Sequence, residues 1–225
     1  MLEFSLVQKI IIWAIPVLFA ITVHEVAHGW VALKFGDRTA QMMGRLTLNP
    51  FKHIDPIGTL LVPGILLLLG GFIFGWAKPV PVTFQNLRKP KADMAWVALA
   101  GPMANLVMAV IWALAAKIGL SLVQADIALG EPMMFMGVAG VLINAMLMML
   151  NLLPLPPLDG GRILVSMLPG PWSWQVSRLE PYGFIILLAL LYFGILSMIL
   201  WPLIGALLNV LALLFNLPPQ IFSIL

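Results

Sequence analysis

The chain has 225 residues, 62% of them hydrophobic and only 9% charged, with a mean hydropathy of +1.06. A soluble domain carries roughly 25% charged residues, so twelve basic and nine acidic side chains cannot cover a globule of this length in water. That excludes a cytosolic enzyme, a nucleic-acid binder and a disordered chain, and it predicts an all-α polytopic membrane protein.

The pI near 9.5 reflects a net charge of only +3 and is no sign of a nucleic-acid partner. With no cysteine, any metal must be held by His, Asp or Glu.

A bilayer core about 30 Å thick needs about 20 mostly apolar residues per helix. The first predicted span covers about 10–33. A second apolar stretch, 57–76, is interrupted by Pro63-Gly64 and Gly70-Gly71. Further spans are predicted at 94–116 and 133–153, with an outer loop from Lys117 to Gly130 between them. No charged residue follows Glu180, and 181–217 reads as a span at 181–200 plus a span or half-span at 202–217, divided near Trp201-Pro202. No repeat or linker divides the chain, so 1–225 reads as a single membrane-embedded domain.

Basic residues orient this layout. Lys34, Arg38, Arg45 and Lys52 precede the second stretch, and Lys78, Arg88, Lys89 and Lys91 follow it. A full crossing there would put two equally basic loops on opposite sides of the membrane, against the positive-inside rule. A re-entrant 57–76 removes the conflict, and its Gly and Pro breaks suit irregular backbone buried in protein. Ten of the twelve basic residues then lie on the cytoplasmic side, with Lys9 and Lys117 outside.

Inside the first span stands His24-Glu25-Val26-Ala27-His28. Residues i and i+4 share a helical face, so the two imidazoles are spaced to grip one metal ion. The adjoining Glu25 is the general base in the HExxH pattern of zinc peptidases. His28 lies six residues before Lys34, about 9 Å at 1.5 Å per residue. Ionisable groups at that depth are costly and mark a function by default.

Two histidines do not close a catalytic zinc site, which takes a third protein ligand. The run from Asn151 to Arg162 has three prolines in four residues, so the fourth span must unwind at its cytoplasmic end. Asp159 in that run is either the third ligand or a helix N-cap. Asn151 is either a donor to a developing oxyanion or an amide that satisfies the broken backbone.

The chain resembles the site-2 protease family, the intramembrane zinc metalloproteases. The resemblance rests on His24 to His28, Gly75-Trp76-Ala77-Lys78-Pro79-Val80, Ala100-Gly101-Pro102-Met103-Ala104-Asn105, and the Asn-Leu-Leu-Pro to Leu-Asp-Gly-Gly run at 151–161. It implies one Zn²⁺ per chain on His24, His28 and Asp159, Glu25 as catalytic base, and Asn151 as stabiliser of the tetrahedral intermediate. It also implies a transmembrane protein substrate, regulated intramembrane proteolysis, and a helical bundle with broken or re-entrant segments in the plasma membrane.

Members of that family resemble one another in having a small sheet near the active site. Residues 44–50 and 78–84 each have short alternation with a turn-like end, and they read either as short strands or a hairpin or as two ordered loops. No internal segment is long and polar enough for the soluble peptide-binding domain that some relatives carry.

His53 reads as an interfacial residue, and Asn105 and Asn144 as interhelical hydrogen-bonding groups. The rival functions are a membrane metal or ion transporter, whose broken helices share these features, and a non-catalytic zinc-binding relative.

Overall fold

The structure is a computed structural model that describes residues 5–61, 65 and 78–224. Helix α1 (Leu6–Lys34) begins at a capping box: Ser5 accepts the Gln8 N–H and the Gln8 side chain accepts the Ser5 N–H. It is followed by the short α2 (Thr39–Met42) and, beyond residue 77, by α3 (Pro90–Gln124) and α4 (Gly130–Asn151). Then come α5 (Asp159–Met167), α6 (Gly170–Ser177), α7 (Gly183–Tyr192) and α8 (Ile195–Leu214). Helices α1, α3, α4 and α8 are long and apolar enough to cross a bilayer, which makes this a multi-pass membrane protein.

Helix α3 packs against α1, α4 and α5. Lipid tails are as apolar as the side chains, so helix association in a membrane depends on close packing of small residues. Helix α3 supplies Ala109, Ala113, Ala116 and Gly119 at helical spacing, all buried. Helix α4 answers with Gly137 against the Ala116 backbone and Gly140 against the Trp112 ring. Helix α8 closes the other side of α4, with Leu196, Leu200 and Ile204 clustered with Ala145, and Leu211 with Val141.

Several boundaries differ from the sequence reading. Helix α3 runs on through Lys117, whose ammonium donates to Asn216 O at 3.1 Å, so the expected outer loop shrinks to the turn between Gln124 and Gly130. A lysine's aliphatic stem allows this by reaching along apolar surface to a polar acceptor. The C-terminal break falls at Phe193-Gly194, not at Trp201-Pro202. Gly194 has a φ of 74°, a left-handed conformation that ends a helix, whereas Pro202 is carried inside α8.

No strand forms among the described residues, including 44–50 and 78–84. Pro79 and Pro81 have no N–H to give a ladder, and their neighbours bond elsewhere. Lys78 N–H donates to His53 O, Arg45 Nη2 donates to Lys78 O, and Val80 N–H donates to Glu25 Oε2. The expected re-entrant stretch starts with a wide helical turn, Pro56–Leu61, where Asp55 accepts the N–H groups of Ile57 and Gly58. Most of the rest of that stretch lies outside the described residues.

Asp37, 1% exposed, ties the α1–α2 turn to the chain entering α3. It accepts from Thr39 N–H (3.0 Å), Thr39 Oγ1 (2.5 Å), Thr83 N–H (2.7 Å) and Asn86 Nδ2 (3.1 Å). Burial alone would raise its pKa, but the hydrogen bonds from Thr39, Asn86 and Thr83 outweigh it and hold the carboxyl below its ordinary value. A carboxyl lowered in the folded state stabilises fully above the unfolded value, about 3.9. That stabilisation is lost as pH falls through the lower folded value. Asp37→Asn should therefore cost about 1–3 kcal/mol at neutral pH and flatten the fall in melting temperature expected on acidifying the wild type below about pH 4.

Candidate metal centre

The centre is built where α1 crosses α3 and the start of α5 reaches both. His24 and His28 lie one turn apart on α1, with Nε2 atoms 3.0 Å apart. Asp159 is the first residue of α5, and its Oδ2 lies 3.3 Å from each of those nitrogens. The three side chains are 7%, 8% and 5% exposed by residue. The position before Asp159, Leu158, is the helix cap, so the carboxylate turns to the histidines instead of capping α5. Its charge at the helix's first position is still favoured by the helix dipole.

The hydrogen bonds around the rings fix which nitrogens carry protons. Asn144 Nδ2 donates to Gly140 O at 2.8 Å, which leaves Asn144 Oδ1 to accept from Asn105 Nδ2 at 2.9 Å. Asn105 Nδ2 also faces Ala20 O at 3.2 Å, so Asn105 Oδ1 is the atom 2.6 Å from His24 Nδ1. An amide oxygen only accepts, so His24 Nδ1 bears the proton. His28 Nδ1 likewise donates to Val97 O at 2.7 Å. In the neutral rings both Nε2 atoms are then bare lone pairs aimed at one point.

With both rings neutral, three electron-pair donors thus converge on one point. Asp159 Oδ2 is buried without a hydrogen-bond partner, and donor atoms of all three residues lie within 4.8 Å of one another. Such an arrangement is repulsive unless a positive charge, a metal ion or a proton, lies between the donors. Two imidazoles and a carboxylate suit zinc, and the outward hydrogen bonds of each ring are the supporting shell that zinc histidines usually have. Gly101 of α3 completes the cradle, since a Cβ there would lie 2.6 Å from His24 Nε2.

The remaining expected residues stand around a cavity of about 160 Å³ beside the cluster. Glu25 lines it, with Oε2 accepting the Val80 N–H at 2.7 Å. Asn151, the last residue of α4, also lines it and donates through Nδ2 to Leu147 O at 2.9 Å. His53 is buried elsewhere, with Nε2 bonded to Thr47 O at 2.9 Å, and it is not in the cluster.

Sequence reasoning assigned Asn105 and Asn144 to interhelical bonds without the ring they orient. It missed Arg162 on the cavity wall, over the Phe84 ring. Arg162 lies three residues after Asp159 on one helix, a spacing that puts both on one face. Val80 and Gly101 lie in motifs that carry the family resemblance, but they act through a backbone amide and a missing side chain, so side-chain chemistry does not reveal their roles.

Comparison with known proteins agrees with this chemistry. The profile of Peptidase family M50 matches residues 12–131, a range that includes both histidines and ends before Asp159. The chain is 40% identical over 200 residues to YwhC of Bacillus subtilis (strain 168), provisionally named a zinc metalloprotease, and 85% of each chain is covered. It is 33% identical over 176 residues to Rip2 of Mycolicibacterium smegmatis and 30% identical over 178 residues to Rip2 of Mycobacterium tuberculosis (strain H37Rv), both named in the same terms. Those two matches each cover 77% of this chain and 64% and 63% of the Rip2 chains, just under two thirds of their length.

No solved structure gives a significant match. Zinc is the cofactor that both the donor set and the relatives' names call for. With the profile covering more than half of its residues and these relatives most of its length, the chain belongs to Peptidase family M50, the site-2 protease family of zinc metalloproteases.

Proposed function

We propose that the chain hydrolyses peptide bonds within or near transmembrane segments of membrane protein substrates, using one zinc ion held by His24, His28 and Asp159. The observation that carries this reading is the convergence of three donor atoms, two of them from α1, a helix long and apolar enough to cross the membrane, and the third from the start of α5. Bound there, zinc supplies Lewis acidity that polarises the scissile carbonyl and eases the ionisation of water.

The chain's own residues do the rest. The Val80 N–H holds one oxygen of Glu25, and the other takes the proton from water as its oxygen bonds to the carbonyl carbon. The same carboxyl returns that proton to the departing amine nitrogen as the C–N bond breaks. Asn151 has a second amide hydrogen besides the one given to Leu147 O, and it serves the developing oxyanion. By the positive-inside rule, the basic residues that follow α1 and precede α3 support a cytoplasmic placement of this end of the molecule.

Glu25→Gln tests the reading. The purified variant in proteoliposomes should retain one zinc per chain and lose cleavage of a single-span reporter by about 10²–10⁴-fold. Wild-type turnover by the variant would refute the assignment, and zinc flux without cleavage by the wild type would favour a transporter.

A further inference from the structure

The segment 78–86 lines the cavity with Pro79, Val80, Val82 and Phe84 and forms no strand, yet it is fastened at both ends by buried charges. Arg45 Nη2 donates to Lys78 O at 2.8 Å and faces Pro79 O at 3.3 Å. Asp37 accepts the Thr83 N–H at 2.7 Å and Asn86 Nδ2 at 3.1 Å. Between these anchors the Val80 N–H donates to Glu25 Oε2 at 2.7 Å. Val80 itself is buried, and its Cγ1 packs over Gly29 of α1, where an added Cβ would meet it at 2.7 Å. Gly29 is one helical turn beyond Glu25.

Asp37 and Arg45 are 1% and 8% exposed, and neither lines the cavity. Burying a charge is costly unless hydrogen bonds repay it. Both charges spend bonds on the backbone of this strap. Prolines at 79 and 81 fix φ on either side of Val80, so a restraint at 78 or 83 is transmitted to the amide at 80.

We propose that Asp37 and Arg45 are positioning residues for Glu25, acting through the strap they hold and the single N–H that Val80 presents. The inference rests on Glu25 being the proton acceptor described above. The strap holds the Glu25 carboxylate towards the substrate before any substrate arrives, and loosening it leaves the metal ligands in place while the base wanders. A displacement of about 1 Å at a reacting group costs on the order of 10²-fold in rate.

The test uses the full chain in proteoliposomes with a single-span reporter. Asp37→Asn should lower kcat about 10- to 100-fold, with KM within about twofold and the zinc content of the wild type. In wild-type protein the Val80 amide should be protected from hydrogen exchange. Glu25→Ala should release that protection while leaving the Thr83 amide protected. Unchanged kcat in Asp37→Asn, zinc lost in step with turnover, or unchanged exchange at Val80 in Glu25→Ala overturns the proposal. If Asp37→Asn does not fold, the exchange at Val80 decides alone. A Glu25→Gln protein that still cleaves refutes the base itself. An inactive Glu25→Gln beside a fully active Asp37→Asn refutes only the strap.

Discussion

Asp159→Asn protein will fold and insert but bind no stoichiometric zinc, and its cleavage of a membrane reporter will fall below detection. The carboxylate oxygen is the only charged donor in the cluster, 3.3 Å from each Nε2, and its removal takes away the anion that helps hold the cation. Loss of an outer hydrogen-bonding partner costs about 10–100-fold in metal affinity, and loss of a direct ligand should exceed that.

The asparagine also changes the apo state. Its amide N–H satisfies one of the two bare imidazole nitrogens, so the variant no longer needs a cation to relieve the cluster. Thermal unfolding in detergent reads both effects. Wild type should gain stability with added zinc, about 4 kcal/mol at a thousandfold excess over Kd, and lose it to a chelator. Asp159→Asn should show neither change. Zinc bound with wild-type affinity would mean that another residue is the third ligand.

The parts of this centre that were legible in the sequence are those set by local geometry. His24 and His28 share a helical face whatever else the chain does, and three prolines after Asn151 must end α4 wherever that helix packs. Length and hydropathy likewise mark out α1, α3 and α4.

What sequence reasoning could not reach depends on how the helices cross. Asn105 orients His24 only because α3 passes α1 at that level, and its oxygen faces the ring only because Asn144 of α4 occupies its nitrogen. The strap had the alternation of a strand, but its prolines deny it a ladder, and its amides go to carboxylates instead. At the C-terminus the proline was the louder signal, yet the glycine at 194 ends the helix, because a left-handed backbone stops a helix more sharply than one missing N–H.

Gly101→Ala should weaken zinc binding by about 5- to 150-fold and lower cleavage with it, although it removes no atom from the site. The new Cβ would lie 2.6 Å from His24 Nε2 and as close to the facing nitrogen of His28. A long side chain usually escapes such an overlap by swinging its far end away. These rings cannot, because Nδ1 of His24 is tied to Asn105 and Nδ1 of His28 to Val97 O.

Relief therefore requires either breaking one of those buried bonds or moving α3 away from α1, and overpacking of this kind costs about 1–3 kcal/mol. The cost falls on the geometry the metal needs, so zinc affinity should drop by about 5- to 150-fold, that energy expressed as a ratio. Gly205 of α8 is the control. A Cβ there meets nothing within 4 Å, and Gly205→Ala should leave zinc affinity unchanged while adding up to about 1 kcal/mol of helix stability. Metal titration of the two variants side by side separates a cradle shaped for the ion from a general intolerance of added methyl groups. Equal zinc affinity in both would show that the histidines are freer than their hydrogen bonds imply.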